Sequence, residues 1–175
     1  QQIREKIRKG EIYVKGGRDL KLDGRFSDTN LENRVQPSSF DATVGETLFI
    51  LDTERRGVFK PSKNETVRRS LLQIPSRERT KKDISSGYIL QRGFTYLIPL
   101  QEKVQLMEGE RMKSSPKSST GRLFPITRLL ADYTNVFDYI DQSDKGFMDL
   151  WLLVQPRAFN LIINPGDTLN QLRFF

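Results

Sequence analysis

Ser115-Pro116-Lys117-Ser118-Ser119-Thr120-Gly121-Arg122 brings hydroxyls, an ammonium and a guanidinium together around a glycine. Such a set can surround a phosphate: hydroxyls and backbone N–H groups donate hydrogen bonds, and a guanidinium grips two phosphate oxygens at once. It is not a Walker A loop, because the G-x-x-x-x-G-K-[ST] spacing is absent. A solvated basic loop has the same composition, so the meaning of the run rests on its surroundings. Further on, Val136-Phe137-Asp138 sets a carboxylate behind two apolar residues, which suits an acid at a strand end over a pocket. Asp141 and Asp144 follow closely and read as solvated, so a plain turn acid is the alternative for Asp138. Near the end, Gln171 and Arg173 alternate with Leu172 and Phe174, which puts both polar residues on one face of a strand.

Absent residues narrow the chemistry. The 175 residues contain no Cys and no His. Disulfides, thiol nucleophiles, Ser-His and Cys-His pairs and ordinary zinc catalysis are thereby excluded. What is left is carboxylates, Lys, Arg, hydroxyls or an oxygen-held metal. With 29 Lys and Arg against 22 Asp and Glu, the net charge is +7, which favours an anionic partner. A mean hydropathy of −0.56 is polar for a globular chain, but 11 Phe and a Trp argue against disorder. No apolar run approaches the ~20 residues of a membrane-spanning helix, and no signal-peptide pattern opens the chain. A cytoplasmic location is the expectation. The start at Gln1 and the end at Phe175 read as those of a piece from a longer chain, with one domain over residues 1–175.

The elements that must position these groups are mostly short strands. Ile3 and Ile7 among charges, then Gly10, predict a brief N-terminal helix. Val35 to Leu51 reads as two strands about a turn at Gly45-Glu46. Lys60 to Ser86 reads as charged loop, with a brief helix over Val67 to Leu72. Tyr88 to Leu90, Phe94 to Leu106, Phe147 to Val154, Phe159 to Ile163 and Leu169 to Phe175 read as strands, with a turn at Asn164 to Asp167. Arg122 to Ala131 stays open: its apolar spacing is helical, but Pro125 interrupts it. Many short strands with turn signals indicate a mainly β sandwich or barrel. A basic nucleic-acid-binding β-domain ranks last, because no aromatics cluster on a basic strand face, so nucleic acid is not an expected partner.

Four stretches together resemble the dCTP deaminase and dUTPase superfamily. Val35-Gln36-Pro37-Ser38-Ser39-Phe40-Asp41-Ala42-Thr43-Val44-Gly45 is similar to its "IQPASLDLRLG" strand, and Gly93 to Glu102 to its "PG-x-x-x-L-x-x-T-x-E" strand. Lys117-Ser118-Ser119-Thr120-Gly121-Arg122-Leu123 is similar to its "RSSLARLG" phosphate segment, and Asn164 to Phe174 to its closing "PG-x-x-I-x-Q-L-x-F" strand. The wording of "PKSSTGRL" and "QPRAF" resembles most the N-terminal half of the long bacterial dCTP deaminases that carry two such halves. The resemblance implies a distorted β-barrel or jelly-roll-like sandwich, assembled as a homotrimer or a two-half pseudo-oligomer with sites at the interfaces. It implies zinc-free deamination of dCTP to dUTP, with Mg²⁺ bound through the nucleotide phosphates. The zinc deaminases' H-x-E…C-x-x-C ligand set cannot be assembled from this sequence.

By the same resemblance Ser118 and Ser119 hold the phosphates and Lys117 adds charge. Arg122 reaches into the site as nucleotide ligand and catalytic residue. Asp138 matches the "(V/I)-x-D" acid beside the sugar. Gln171 on the closing strand is assigned to the nucleotide, with a surface role open. Asp41 is expected to brace structure, and Trp151 to pack rather than stack on a base. The sequence departs from the pattern at one place that matters. Setting Val154 to Phe159 on the family's "N-S" or "S-P-R" turn puts Leu153 where the deaminases carry a proton-shuttling Glu, and a leucine transfers no proton. Asp149 shares its strand face but lies about 13 Å away. The stretch from Asp138 to Gly146 is longer than the family's "D-P-G-x-x-G", the dUTPase uracil hairpin is not recognisable, and Phe175 precedes the segment that covers the nucleotide in many relatives. Two readings follow: a dCTP deaminase-like nucleotide-binding domain, or a catalytically silent structural or regulatory half that keeps fold and oligomer contacts.

Overall fold

Strand β6, Thr95–Val104, organises the molecule, and its near-continuous apolar run explains why. A strand that reads as apolar on both faces must be covered on both faces. The computed structural model describes residues 2–14, 33–51, 59–123, 125–141 and 143–175. Along the chain come α1 (Gln2–Arg8), β1 (Ile12–Val14), β2 (Phe40–Thr43), β3 (Thr47–Leu51), α2 (Val67–Leu72), β4 (Arg79–Asp83), β5 (Tyr88–Leu90) and β6. They continue with β7 (Met112–Pro116), α3 (Ser118–Arg122), β8 (Pro125–Ala131), β9 (Tyr139–Ile140), β10 (Met148–Pro156), β11 (Leu161–Ile163) and β12 (Thr168–Phe174).

The strands form an antiparallel sheet in the order β4-β3-β6-β10-β8, with β1 also on β6, and a second sheet in the order β2-β12-β7-β9. Because β6 is long, β1 and β3 pair with different stretches of it, at Glu102–Val104 and Thr95–Leu97. β5 and β11 make a small separate ribbon. The two larger sheets face each other. Phe40, Met112, Leu172 and Phe174 of one pack with Tyr96, Ile98, Leu129 and Leu152 of the other. On the far face of the six-stranded sheet, Phe49, Leu97, Leu130 and Trp151 form a second apolar cluster, covered by Val67, Leu71 and Ile74 of α2 and its exit. The fold is therefore the expected mainly β, jelly-roll-like sandwich. Its sheets stay open, and the described strands do not close into a barrel.

Several expected elements fall into place, among them the N-terminal helix, the brief helix at Val67–Leu72 and the turn between β2 and β3. That turn needs glycine: Gly45 N–H donates to Pro99 O at 2.9 Å, and a Cβ on Gly45 would sit 2.7 Å from the same oxygen. The undecided stretch is a strand, β8, with Pro125 as its first residue, where a missing N–H is tolerated. β4 and β7 lie where no strand was expected. β4 reads as loop because it is a polar end strand. β7 reads as loop because Ser114 occupies a core-facing position between the sheets.

Candidate nucleotide site

The phosphate-like run folds as a strand end followed by one helical turn. Ser115 and Pro116 close β7, Lys117 leads into α3, and Ser118 to Arg122 form the turn. Lys117 N–H donates to Leu169 O at 3.0 Å and its carbonyl accepts from Gly121 N–H at 2.9 Å, which ties the turn to the closing strand. Thr120 is buried, whereas Ser118, Ser119 and Arg122 are exposed. Ser118 and Arg122 are four residues apart, so they share a side of the turn. Among the described residues Arg122 makes no ion pair, which leaves its five N–H donors available. A Cβ on Gly121 meets nothing within 4 Å, so the glycine is not there to admit a close backbone.

Lys117 is committed elsewhere. Its Nζ lies 2.5 Å from Asp41 Oδ2 and donates to Thr168 Oγ1 at 2.9 Å. Asp41, on β2, thus braces the turn as expected. Gln171 stands beside Asp41 in the sheet, opposite it on β2 and opposite Ser115 on β7. Its Oε1 accepts from Ser39 Oγ at 3.1 Å and its Nε2 donates to Ser115 Oγ at 3.2 Å. The structure therefore gathers Lys117, Gln171, Asp41 and Ser115 on the outer face of the four-stranded sheet, with Ser118, Ser119 and Arg122 carried by the turn that leaves it.

Asp138 belongs to a second group. Its backbone is left-handed, with φ 62°, and is pinned by Asp138 N–H to Leu129 O at 2.9 Å and Ser114 N–H to Asp138 O at 2.9 Å. The carboxylate accepts from Leu129 N–H at 2.7 Å and from Arg128 Nη1 at 2.8 Å. Val136 and Phe137 are exposed rather than buried under it. Arg128 stands directly across the ladder from Leu153, whose side chain is half-buried against the second apolar cluster. Backbone to backbone, the two groups connect where Ser114 meets Asp138, three residues before Lys117. Sequence reasoning did not single out Arg128. Its signal was available only as alternation with Leu129 on a segment not recognised as a strand.

Trp151 is buried and packs as expected, its ring centroid 6.2 Å from that of Phe49. The helix over it is fastened by a buried acid: Asp132 accepts from Val67 N–H at 2.9 Å and from Asp149 N–H at 3.2 Å. Burial pushes the Asp132 carboxyl above its ordinary value, against the lowering effect of those two N–H donors. Asp149 itself pairs with Lys103 at 2.7 Å, and a register shift in the ladder separates it from Trp151.

A model of the 2'-deoxycytidine 5'-triphosphate deaminase (DCD) N-terminal domain matches residues 20–175. The chain belongs to this family. A crystal structure of 2'-deoxycytidine 5'-triphosphate deaminase from Agrobacterium tumefaciens is similar to it, with a TM-score of 0.80 and 28% sequence identity over 99% of this chain. The chain spans 46% of the length of that protein. No curated protein matches. Within the dCTP deaminase family frame, the matched segment holds every candidate residue: Lys117, Ser118, Ser119, Arg122, Asp138, Leu153 and Gln171. No helix among the described residues is long and apolar enough to cross a membrane.

Proposed function

We propose that this chain is a deoxynucleoside-triphosphate-binding domain serving dCTP deamination. The triphosphate lies against Ser118, Ser119 and Arg122, with Lys117 anchoring the turn and Gln171 bracing the strand beneath it. Asp138, held by Arg128 and Leu129, lies beside the sugar. One observation carries this reading: two hydroxyls and a guanidinium with no ion pair among the described residues are exposed on one helical turn, and that turn is fastened to the sheet by Lys117 and Asp41. Mg²⁺ enters as part of the substrate, bound through its phosphates. The reaction is dCTP plus water giving dUTP plus ammonia: water oxygen bonds to C4, one water proton goes to ring N3, the other passes to the departing amine, and the C4–N bond breaks as the C4 carbonyl forms. The Glu-less, zinc-free residue set supplies binding and orientation. In this reading the domain, residues 1–175, is one half of a longer cytoplasmic chain and works in a trimeric or two-half assembly.

Leu153 favours a second reading, in which this half binds or scaffolds while a partner half transfers the proton. The expected shuttle position is apolar, and Arg128 faces it across the ladder. Calorimetric titration with Mg²⁺–dCTP and Mg²⁺–dUTP, with ammonia and pyrophosphate followed in parallel, separates the two. Binding with ammonia release supports the first reading and binding without it the second. Absence of binding overturns both nucleotide roles.

A further inference from the structure

The net charge of +7 is concentrated in one segment. Residues 60–83, through the end of β4, hold eight Lys and Arg against two Glu and one Asp, a net of +5. The segment runs without a break through α2, the 3-10 turn Ser76–Glu78 and β4, and β4 is the end strand of its sheet. Seven of the eight cations are exposed and Arg79 is half-buried. Lys81 pairs opposite Phe49 and Lys82 opposite Leu48, so cations project from both sides of the sheet edge. Some are used internally: Arg69 lies 3.5 Å from Glu65, Arg77 lies 3.5 Å from Glu78, and Arg79 Nε donates to Ile74 O at 2.8 Å. Lys60, Lys63, Arg68, Lys81 and Lys82 make no ion pair among the described residues. Arg68 lies over the Trp151 ring, 5.9 Å from its centroid.

The chemistry around these cations selects the partner. A protein interface is anchored by buried aromatic or aliphatic side chains, and Leu72 is the one large apolar side chain exposed in this segment. Stacking on unpaired bases needs aromatics, and residues 60–82 contain none. What remains is charge, interspersed with Ser62, Asn64 and Thr80, which are groups that contact phosphate and read no sequence. We propose that the surface formed by α2 and β4 binds the phosphate backbone of double-stranded nucleic acid without sequence preference. A duplex presents about one charge per 1.7 Å, denser than a single strand, and suits a surface with no stacking platform. The proposal does not depend on the nucleotide site, which is built from β2, β7, α3 and β12.

The test is fluorescence anisotropy of a labelled DNA duplex of about 20–30 base pairs, titrated with the whole chain at several salt concentrations. With five cations engaged, the slope of log K on log salt is about −4.5, a roughly 500-fold loss of affinity between about 50 and 200 mM salt. Combined Lys60→Glu, Lys81→Glu and Lys82→Glu substitution should weaken binding more than about 10-fold and flatten the slope by about 3. Lys81→Gln with Lys82→Gln should give a smaller loss in the same direction, with unchanged thermal melting of the protein. Four outcomes overturn the proposal: no binding at low salt, binding indifferent to these substitutions, binding lost instead on Ser118→Ala/Ser119→Ala/Arg122→Ala, or poly-glutamate competing as well as the duplex. The last would reassign the surface to an acidic protein.

Discussion

Lys117 and Arg122 come from the same basic run, yet the structure gives them different work. Lys117 satisfies the nearly buried carboxylate of Asp41, while Arg122 stands exposed with no ion pair among the described residues. Lys117→Ala should therefore lower stability by about 1.5–3 kcal/mol, the range for a hydrogen bond to a charged group. Arg122→Ala should leave the melting temperature unchanged and weaken triphosphate binding by about 10–100-fold, since a guanidinium–phosphate fork is the strong kind of hydrogen bond. Urea melts and calorimetric titration of both variants decide this; equal effects on stability and binding would remove the division of labour. Leu153 yields a less obvious expectation. Setting an acid at the expected shuttle position by Leu153→Glu places a carboxylate directly opposite Arg128, which already donates to Asp138. Arg128 would capture it, so the single substitution should release no ammonia from dCTP, a result read directly by a coupled ammonia assay. The phosphate-like run was legible from residue types alone. The commitment of Lys117 was not, because Asp41 lies 76 positions away and only the pairing of β12 with both β2 and β7 brings them together.

At the scale of elements, the two longer helices are fastened by acids of opposite pH behaviour. α1 is held by Lys6, buried over the Phe174 ring and paired with Glu11 and Glu110. Burial raises the Glu110 carboxyl, but Lys6 and the Met107 N–H more than offset this and leave it below its ordinary value. A lowered carboxyl stabilises the fold above its unfolded value and loses that contribution as pH falls through its folded value. α2 is held by Asp132, whose carboxyl is raised by burial. Its contribution is fully present below the unfolded value and is lost as pH rises through the folded one. Acid below the ordinary carboxylate range should therefore lower the hydrogen-exchange protection factors at Ile3 to Ile7 while leaving those at Val67 to Leu72 unchanged; the reverse order would refute the assignment. Leu71→Ala, at a fully buried position against Trp151, should cost about 2–5 kcal/mol and shift the tryptophan emission. These elements also show what sequence makes legible. α1 and α2 declare themselves by apolar spacing. β4 does not, because an end strand can be polar along its whole length.

Across the whole molecule, a polar bridge through Asn170 runs through the core between the two sheets. Asn170 of β12 is fully buried; its Oδ1 accepts from Thr127 Oγ1 of β8 at 2.7 Å, and its Nδ2 donates to Ser114 Oγ of β7 at 2.9 Å. Thr127 and Asn170 are polar residues at core-facing strand positions, which a period-two reading of the sequence marks as anomalies without saying what they meet. Only the packing of one sheet on the other explains them, and it also fixes how the strand that carries Gln171 lies beneath the α3 turn. Removing one partner strands the others in a dry interior, where an unpaired polar group costs its desolvation. Asn170→Ala should therefore destabilise by about 2–4 kcal/mol, from the lost bonds and the space left behind. Replacing the set by apolar side chains, with Thr127→Val, Ser114→Ala and Asn170→Leu together, should recover much of that loss, because no orphaned group remains. Urea unfolding of the single and triple variants measures this from midpoints at unchanged slope. If the triple variant is as unstable as the single one, the bridge contributes shape rather than hydrogen bonding. If it regains stability but no longer binds triphosphate, the bridge holds the sheets in the register that the nucleotide site requires.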